Sequence, residues 1–575
     1  MKRIILASCL LLSLTTQATA QYLSQIESFS TVVSNDVAID AAGNAYVTGS
    51  ISGSTEFLSS GSTTAAFTLQ SIGLKDVFVA KYDPAGDPVW GFSIGGIAAG
   101  PGIDDEGLAI EVSSAGHVFV TGYFQGTADF DPGNGVAEIT SNGFRDAFMA
   151  SYTADGELRW ARGFGGTADD RGQDVGVHST SAVVFTGFFR ETGTLSSDPT
   201  DAVTSAGEED GYVISMDPEA NLNWLFHYGD FSVDKGNRIA TDDAGNVYLL
   251  GVFSRNANLD PSGSADALSS LNGSQDGVLA SYTPAGVFRW AIPIGGAQLD
   301  GTTGLAVDAA GNAFLTGFFI GTVDFAPLNG PQEVTSTGRD QYIARYTPTG
   351  TLAWVFPLGT GFAQGSDIGL NSNGDLIVSG FFAGEIFPNP QSTLRLTSNG
   401  EQDLLLASYD SNGSFRWANA LGGPLTEVPT GVALNEAGNA YLTGYFQDEV
   451  DFDVGADTLL LASAGSFDGF VARFAPNGSI SVANENEPPL ATTQFTVYPN
   501  PAVNRVILNL TPGNTGADKI EIVDLLGRIV YTRAYSRWAG ISQQLDIPVS
   551  NLPAGVYIIR MQNEPGTTLP LTIVR

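Results

Sequence analysis

The stretch AVDAAGNAFLTGFF, residues 306–319, decides the fold because it returns six more times along the chain. Aligned on its glycine, the copies follow one another at intervals of 73, 65, 64, 66, 63 and 64 residues. The aligned glycines are Gly49, Gly122, Gly187, Gly251, Gly317, Gly380 and Gly444. A repeat of this length overrides the expectation of several unrelated domains that a chain of 575 residues would otherwise raise.

One period contains four strand-like runs and no helical spacing. In the fifth copy the runs are residues 304–307, 313–319, 341–346 and 351–357, rich in β-branched and aromatic residues and separated by turns that contain Gly, Asn and Pro. Four antiparallel strands per period, seven times over, predict an all-β fold, a seven-bladed β-propeller over residues 21–482. The long connection between the second and third strands is expected to extend that hairpin outward.

The last copy lacks one strand. Copies one to six end on a strand that carries a tryptophan, and the seventh does not; the tryptophans are Trp90, Trp160, Trp224, Trp290, Trp354 and Trp417. Residues 22–30 stand before the first copy, where no strand of the repeat is expected. We therefore expect this N-terminal segment to pair into the last blade and to close the ring, which removes an open sheet edge.

The two ends of the chain differ from the repeats in composition. Residues 1–20 have the pattern of a secretory signal peptide: Lys2 and Arg3, an apolar run, and then Ala18-Thr19-Ala20. Residues 483–491 are polar and contain two prolines, which is typical of a linker. Cys9, the only cysteine, lies in the signal, so no disulfide is expected after it. No later apolar run reaches the length of a transmembrane helix, about 18 residues.

Charge separates the repeats from the tail. Residues 21–490 hold 56 acidic and 16 basic residues, a formal charge of −40, whereas residues 491–575 hold 5 and 7, a charge of +2. A surface with this much negative charge repels phosphate backbones, and nucleic acid is therefore not expected as a partner.

The repeat resembles a known family. The pairing of AVDAAGNAFLTG, residues 306–317, with RDQYIARYTPTGTLAW, residues 339–354, is similar to the SBBP repeat of secreted bacterial seven-bladed β-propellers. The third copy departs from it, because His178-Ser179-Thr180-Ser181 replaces the Asp and Gly of the first turn. The resemblance implies the same fold and does not specify a ligand.

Residues 492–575 lack the period and contain six or seven short strand-like runs, which predict a small immunoglobulin-like β-sandwich. Three motifs resemble the type A C-terminal sorting domain of the type IX (Por) secretion system: Val497-Tyr498-Pro499-Asn500-Pro501, Asp524-Leu525-Leu526-Gly527-Arg528 and Leu552-Pro553-Ala554-Gly555-Val556-Tyr557. The resemblance implies export across the periplasm to the outer-membrane surface of a Gram-negative bacterium, recognition by the type IX machinery, and release or tethering to lipopolysaccharide.

Two series of acidic residues recur in the repeats. An Asp precedes the third strand of every copy, and a turn cap explains it better than catalysis does; the residues are Asp76, Asp146, Asp210, Asp276, Asp340, Asp403 and Asp468. A second series lies in the connections between blades, at Asp105, Asp170, Asp234, Asp300 and Glu427, interrupted by Val32 and Ala363. These five predict either a ligand- or cation-binding rim at one mouth of the channel or a set of turn caps.

Two further features bear on chemistry. Alternate carboxylates at Asp129 and Asp131, and at Asp451, Asp453 and Asp457, are hard oxygen ligands that suit Ca²⁺, although turn formation explains them as well. Aromatic pairs such as Phe381-Phe382 and Tyr445-Phe446 predict core packing, with a sugar-stacking platform as the alternative. His117, His178 and His227 are expected in different blades, no nucleophile motif accompanies them, and no catalytic residue is assigned.

These observations favour a secreted or cell-surface module that binds an extracellular ligand: a glycan, a cation or a protein. A carbohydrate-active hydrolase or lyase on the same scaffold is the first alternative, because a propeller can bring distant acids together. A structural or adhesive surface protein is the second. The fold alone does not choose among the three.

Overall fold

A computed structural model describes the chain between residues 22 and 574. The description leaves out residues 29, 98–103, 179–181, 197–201, 266, 329, 360, 390, 455–458, 481–494, 499–501, 511–515, 525–527, 538–542 and 562–563 within that range. The predicted signal peptide and the linker at residues 483–491 therefore lie outside the described residues. The chain divides into two compact units, Met1–Ala483 and Asn484–Arg575.

The described residues are almost entirely strands and turns, with a single 3₁₀ turn at Leu271–Gly273. Each of the first six copies of the sequence repeat forms four antiparallel strands, and the seventh forms three, to which Tyr22–Ser28 adds a fourth; we name these sets repeat 1 to repeat 7. The strands of repeats 1 to 4 are Val32–Ile39, Ala45–Ile51, Asp76–Tyr82 and Pro88–Ile94; Glu106–Val112, Val118–Phe124, Asp146–Tyr152 and Leu158–Gly166; Arg171–His178, Ala182–Thr194, Ala202–Met216 and Leu222–Tyr228; Lys235–Thr241, Val247–Ser254, Gln275–Tyr282 and Phe288–Gly296. Those of repeats 5 to 7 are Gly301–Val307, Ala313–Asp324, Glu333–Tyr346 and Leu352–Leu358; Phe362–Leu370, Asp375–Ala383, Asp403–Asp410 and Phe415–Leu421; Glu427–Leu434, Ala440–Phe446, Asp468–Phe474 and Tyr22–Ser28.

The connection between the second and third strands continues the hairpin outward. In repeats 3 and 5 the two strands themselves lengthen, as where Thr192 pairs with Thr204. In the other repeats a separate short pair forms: Ser54–Leu58 with Ala65–Gln70, Thr127–Asp129 with Glu138–Thr140, Asn256–Ala257 with Leu268–Ser269, Glu385–Ile386 with Leu396–Thr397, and Glu449–Asp451 with Leu460–Ala462. A further short strand, Gly96–Ile97, pairs with the extension of repeat 2.

The first described strand of the chain belongs to the last repeat. Tyr22–Ser28 pairs antiparallel with Asp468–Phe474, with Tyr22 opposite Arg473 and Ile26 opposite Gly469. Its other edge pairs with the extension of repeat 1, where Ile26 lies opposite Phe57. The fourth strand of repeat 4 makes the same kind of contact with repeat 5. Tyr22–Ser28 is thus the fourth strand of repeat 7 and joins it to repeat 1.

The tryptophans of the fourth strands pack against the following repeat. The indole N–H of Trp290 donates to the carbonyl of Pro348 in the next repeat at 3.0 Å, and its ring faces Gly350, whose φ of +78° suits glycine. Repeat 7 has no tryptophan here. Tyr22, fully buried, lies against the equivalent Gly86 of repeat 1 instead.

The second unit contains two antiparallel sheets. One consists of Phe495–Tyr498, Arg505–Leu510 and Gln543–Pro548, and the other of Gly516–Asp524, Ile529–Arg537, Gly555–Met561 and Glu564–Ile573. Side chains of both sheets, among them Val506, Ile547, Ile522 and Leu571, form one buried core. Two sheets that bury a common core make a two-layer arrangement.

Candidate functional site

The first strand of every repeat carries a β-bulge at the same place. Across the bulge, the pairing of Gly49 with Ser34 is followed by that of Thr48 with Asp36, and the equivalent shift occurs in all the other repeats. The unpaired residues are Asn35, Leu108, Gln173, Asn237, Thr303, Ser366 with Asp367, and Thr430. A bulge changes the direction in which the side chains of a strand point. The first strands of all seven repeats line two cavities, which we call the mouth cavity and the inner cavity.

Several bulge side chains tie one repeat to the next. The Nδ2 atoms of Asn35 and Asn237 donate to backbone carbonyls of the following repeat at 2.8 and 2.9 Å. Thr303 Oγ1 donates to Gly365 O at 2.8 Å, and Thr430 Oγ1 donates to Ser34 O at 2.5 Å, the latter from repeat 7 to repeat 1. These hydrogen bonds therefore fix the wall of the mouth cavity before a ligand binds.

The mouth cavity, about 560 Å³, is bordered by these bulge residues and by neutral hydrogen-bonding side chains. Five of those side chains are half-buried and make no hydrogen bond to another described residue: Gln173, Gln364, Ser366, Gln402 and Thr426. Three partly exposed aromatic residues, Phe381, Tyr445 and Phe467, border the same cavity, and Tyr445 meets Phe467 edge to face at 5.3 Å between ring centroids. The lining is thus amide, hydroxyl and aromatic, and Arg238 is its one charged residue.

The two residues of the pairs Phe381-Phe382 and Tyr445-Phe446 divide between core and cavity. Phe382 and Phe446 are fully buried, as core packing predicted. Their neighbours Phe381 and Tyr445 instead turn toward the mouth cavity, where their rings are partly exposed.

The inner cavity, about 330 Å³, is charged, in contrast to the mouth. It is lined by Asp36, Glu111, Asp174, Arg238 and Asp367. Three of the carboxylates accept a backbone N–H of the following repeat: Asp36 from Ile110 at 2.8 Å, Asp174 from Ile239 at 2.6 Å, and Asp367 from Val432 at 3.0 Å. The repeat period did not single out these residues, because only some copies carry an acid there.

Burial governs the acidity of the inner cavity. It raises the pKa of Glu111 and of Asp174 to about 7 and raises the pKa values of Asp36 and Asp367, while Arg238 acts in the opposite direction on all three aspartates. Arg238 Nε lies 3.9 Å from Asp367 Oδ1, and Arg238 also lines the mouth cavity. One cation thus partly offsets several carboxyl groups in a confined space.

The five carboxylates predicted for a rim are buried, none more than 2% exposed. Asp300 is representative: its Oδ2 accepts the N–H of Gly296 at 2.7 Å and its Oδ1 that of Ile320 at 3.0 Å. Asp105, Asp170 and Asp234 make two such bonds each, and Glu427 accepts the N–H of Gly423. Such contacts between a carboxylate and backbone N–H groups are the ones expected of turn caps. Burial raises the pKa of Asp105 and Asp234 to about 7, of Asp170 and Asp300 to about 6, and of Glu427 to about 8.

The Asp that precedes each third strand is also a cap. Asp76 accepts the N–H groups of Ile72 and Gly73 at 2.8 and 3.0 Å, and all seven of these residues are at most 3% exposed. The other six accept backbone N–H groups of the residues just before them in the same way, although Asp210 and Asp340 lie inside the lengthened third strands of repeats 3 and 5.

The residues predicted to bind calcium act within their own loops. Asp129 Oδ1 accepts the N–H groups of Asp131 and Ala137, and Asp451 Oδ1 accepts those of Asp453 and Leu459. Asp457 lies outside the described residues. Among the residues that the structure describes, no group of three or more His, Cys, Asp or Glu side chains is arranged to hold a metal ion.

The histidines lie apart, although not all in different repeats as expected. His178 ends the first strand of repeat 3 and His227 stands in the fourth strand of the same repeat, whereas His117 precedes the second strand of repeat 2. His227 Nδ1 is 3.5 Å from Asp210 Oδ2. The expectation was wrong, because His178 and His227 stand on the first and fourth strands of one repeat, more than 40 residues apart in sequence.

The sorting motifs are described in part. Tyr557 is buried in the core of the second unit and its hydroxyl donates to Pro553 O at 2.9 Å, while Leu552 is buried beside it and Gly555 begins the next strand. Tyr498 and Asp524 each end a strand, but their side chains lie outside the described part. Pro499, Asn500, Pro501 and Gly527 lie outside it altogether.

Among curated proteins, the chain is similar to an uncharacterized WD repeat-containing protein, L264, of Acanthamoeba polyphaga mimivirus, with 20% identity over 72% of this chain and 37% of that protein. It is also similar to the regulatory protein FlaEY of Caulobacter vibrioides, with 23% identity over 80% of this chain and 50% of that protein. The chain thus spans half or less of the length of these curated relatives.

Solved structures give weaker likenesses. Sqt1 from Chaetomium thermophilum is 11% identical, with 79% of this chain and 99% of that chain covered and a TM-score of 0.31. A polysaccharide lyase of family PL25, an ulvan lyase, is 10% identical, with 77% and 97% covered and a TM-score of 0.37. Neither informs on the ligand of this chain.

No helix in the described part of the chain is both long and apolar enough to cross a membrane. Residues 496–575 match the family described as the secretion system C-terminal sorting domain. The repeats are therefore the cargo of a chain whose C-terminal domain indicates export by the type IX secretion system to the cell surface or outside the cell.

Proposed function

We propose that this chain is an exported binding protein whose seven repeats form a closed seven-bladed β-propeller of the SBBP type, and that its mouth cavity binds an extracellular glycan. The second unit would be the immunoglobulin-like address that the type IX machinery recognises. Support for the closed ring comes from the pairing of Tyr22–Ser28 with Asp468–Phe474 and from the Thr430 to Ser34 hydrogen bond.

The observation that carries the glycan proposal is the chemistry of the mouth. Sugars present hydroxyl groups around their edges and apolar C–H groups on their faces. Amides and hydroxyls both donate and accept hydrogen bonds, and those of Gln173, Gln364 and Gln402 are unpaired within the described chain. The partly exposed rings of Tyr445 and Phe467 offer an apolar surface beside them. A pocket with convergent polar groups and aromatic walls is typical of small-ligand sites.

A glycan array probed with the purified full chain tests this proposal. We expect a subset of glycans to bind, and Phe467→Ala to lower their affinity by at least about tenfold because it removes one wall of the mouth. Phe231→Ala is the matched control, since Phe231 is 75% exposed and does not line the mouth. The proposal fails if no glycan binds, or if both variants bind as the unaltered protein does.

A second candidate function is cleavage of the same glycan by a hydrolase or lyase reaction. The observation that favours it is the raised pKa, about 7, of Glu111 and Asp174, since a general acid works best with a pKa near the working pH. Mass spectrometry of bound oligosaccharides after incubation tests it. Shortened products that disappear with Glu111→Gln support the enzyme, and intact oligosaccharides support binding alone.

We further propose that the exported protein is either released or tethered to lipopolysaccharide through the sorting domain. Fractionation of cells and medium distinguishes the two, because a tethered protein stays with the outer membrane and gains mass. Self-association of the purified protein without any ligand would instead support the structural or adhesive alternative.

A further inference from the structure

One position recurs in every repeat directly before the capping Asp, and in repeats 6 and 7 its residue lines the mouth cavity. We call it the bridge position; its residues are Lys75, Arg145, Glu209, Gln275, Arg339, Gln402 and Phe467. Its backbone meets the start of the next repeat in a parallel bridge. The bridges seen are Lys75 with Asp104, Arg145 with Asp169, Glu209 with Val233, Arg339 with Phe362, Gln402 with Thr426 and Phe467 with Thr31.

Charges at the bridge position are neutralised in the first three repeats. Arg145 lies 2.6 Å from Asp104 and 3.7 Å from Asp169, and Lys75 lies 4.0 Å from Asp104. In repeat 3 the sign is reversed, and Glu209 lies 2.7 Å from the Lys235 ammonium group. Each of these charges therefore meets an opposite charge from the same face of the molecule.

Arg339 of repeat 5 is the exception. Its bridge partner is Phe362, whereas the bridge partner in repeats 1 and 2 is an aspartate. Among the described residues, no carboxylate forms an ion pair with the Arg339 guanidinium. The guanidinium lies 3.6 Å from the ring centroid of Phe318 and 5.7 Å from that of Phe362, and its Nε is buried without a hydrogen-bond partner. A half-buried cation between two aromatic rings has lost water without gaining a counter-charge.

Arg339 is not itself a lining residue of the mouth cavity, but the equivalent positions of two other repeats are. Gln402 and Phe467, which hold the bridge position in repeats 6 and 7, both line that cavity, as does Thr426, the equivalent of Phe362. Phe362 lies 6.1 Å from Phe381, between ring centroids, and Phe381 belongs to the mouth wall. The ring of Phe362 therefore lies between the Arg339 guanidinium and Phe381 of the mouth wall, and a glycan that extends past Phe381 would meet the guanidinium.

We propose that Arg339 pairs with an anionic group of the ligand, so that the mouth selects acidic glycans that carry a carboxylate or a sulfate. This inference rests on the proposed glycan function and adds the substrate class to it. A guanidinium presents two parallel N–H donors that match the oxygens of either group. The acidity of the rest of the chain does not prevent such pairing, because physiological salt screens exposed charges beyond about 8 Å.

The test compares ligands that differ in charge alone. Oligogalacturonate and its methyl ester share one backbone, and a sulfated galactan and its desulfated form share another, so the two arms separate carboxylate from sulfate. We expect at least one acidic form to bind about ten- to a hundredfold more tightly than its neutral counterpart, and Arg339→Gln to abolish that preference. Arg339→Lys should keep part of it, because the charge stays while the planar fork is lost.

Arg395→Gln is the matched control: it removes one positive charge from an exposed pair with Glu385, and it should leave the preference unchanged. Thermal melts of all variants confirm that each has folded. The proposal is overturned if acidic and neutral forms bind equally, if Arg339→Gln keeps the preference, or if Arg395→Gln loses it. Binding of neutral forms that Phe467→Ala weakens would leave the glycan function standing without the acid preference; binding of neither form, with no glycan bound on the array, would remove both.

Discussion

At the scale of single residues, carboxylates that look like binding groups in the sequence act as caps in the structure. Asp300 is 2% exposed and accepts two backbone N–H groups, those of Gly296 and Ile320. An unsatisfied buried N–H costs more than an average hydrogen bond contributes, so a side chain that satisfies two of them is under strong structural constraint.

Replacing Asp300 by Asn should lower the free energy of unfolding by about 1–3 kcal/mol, because the amide NH₂ would face one of the two N–H donors. Urea denaturation at pH 8, above the pKa of about 6 for Asp300, measures this with the carboxylate ionised. Asp243→Asn is the control, since Asp243 is exposed. Unchanged stability together with weaker ligand binding would instead favour the rim interpretation.

The sequence predicted these caps only in part. The spacing of Asp300 and its equivalents identified the series, because five of the seven copies carry an acid at the same place in the repeat. It could not tell whether the side chains point to solvent or into the turn, since that depends on the neighbouring repeat. Arg339 was missed for the same reason: its isolation follows from Phe362, which lies in the next repeat.

At the scale of elements, the β-bulge in the first strand of each repeat brings the bulged residues to the mouth cavity. In the sequence, a bulge is one extra residue in a strand of alternating polarity. The spacing between copies varies from 63 to 73 residues, so one extra residue does not stand out. The signal that could have found it is the polar residue at Asn35, Gln173 or Asn237, which interrupts the apolar alternation of the first strand. The strands, by contrast, followed directly from that alternation.

The strand Tyr22–Ser28 gives the clearest prediction at this scale. Deleting it should lower the melting temperature sharply, because it exposes one edge of Asp468–Phe474 and removes the buried ring of Tyr22. Adding a peptide of residues 22–28 should restore part of the loss. Tyr22→Phe serves as control and should change little, since the Tyr22 hydroxyl has no hydrogen-bond partner. An unchanged melt after the deletion would show that the strand does not hold repeat 7 and repeat 1 together.

At the scale of the whole molecule, buried carboxyl groups set the response to pH. Burial raises the pKa of Asp105, Asp146 and Asp174 to about 7, far above the value of about 4 in an unfolded chain. Between these values the folded state holds protons that the unfolded state has lost. Stability from such groups is complete below pH 4 and falls as the pH rises through 7.

Calorimetry at pH 5 and at pH 8, at one ionic strength, should therefore give the higher melting temperature at pH 5. The charge of −40 on residues 21–490 acts in the same direction, because self-repulsion grows as the remaining carboxyl groups ionise. As a control, adding salt should narrow the difference only in part, since salt screens surface charges and not buried ones. A higher melting temperature at pH 8 would contradict the burial of these groups.

The pairing of Tyr22–Ser28 with Asp468–Phe474 also orders the biogenesis of the protein. Gln25 and Asp468, which are hydrogen-bonded across this pairing, are 443 residues apart, so Tyr22–Ser28 is translated long before its partner strand. The sorting domain at residues 496–575 is translated later still. A chain truncated before Asp468 thus lacks both the partner strand and the export label, and a chain that carries the label also carries both strands of this pairing.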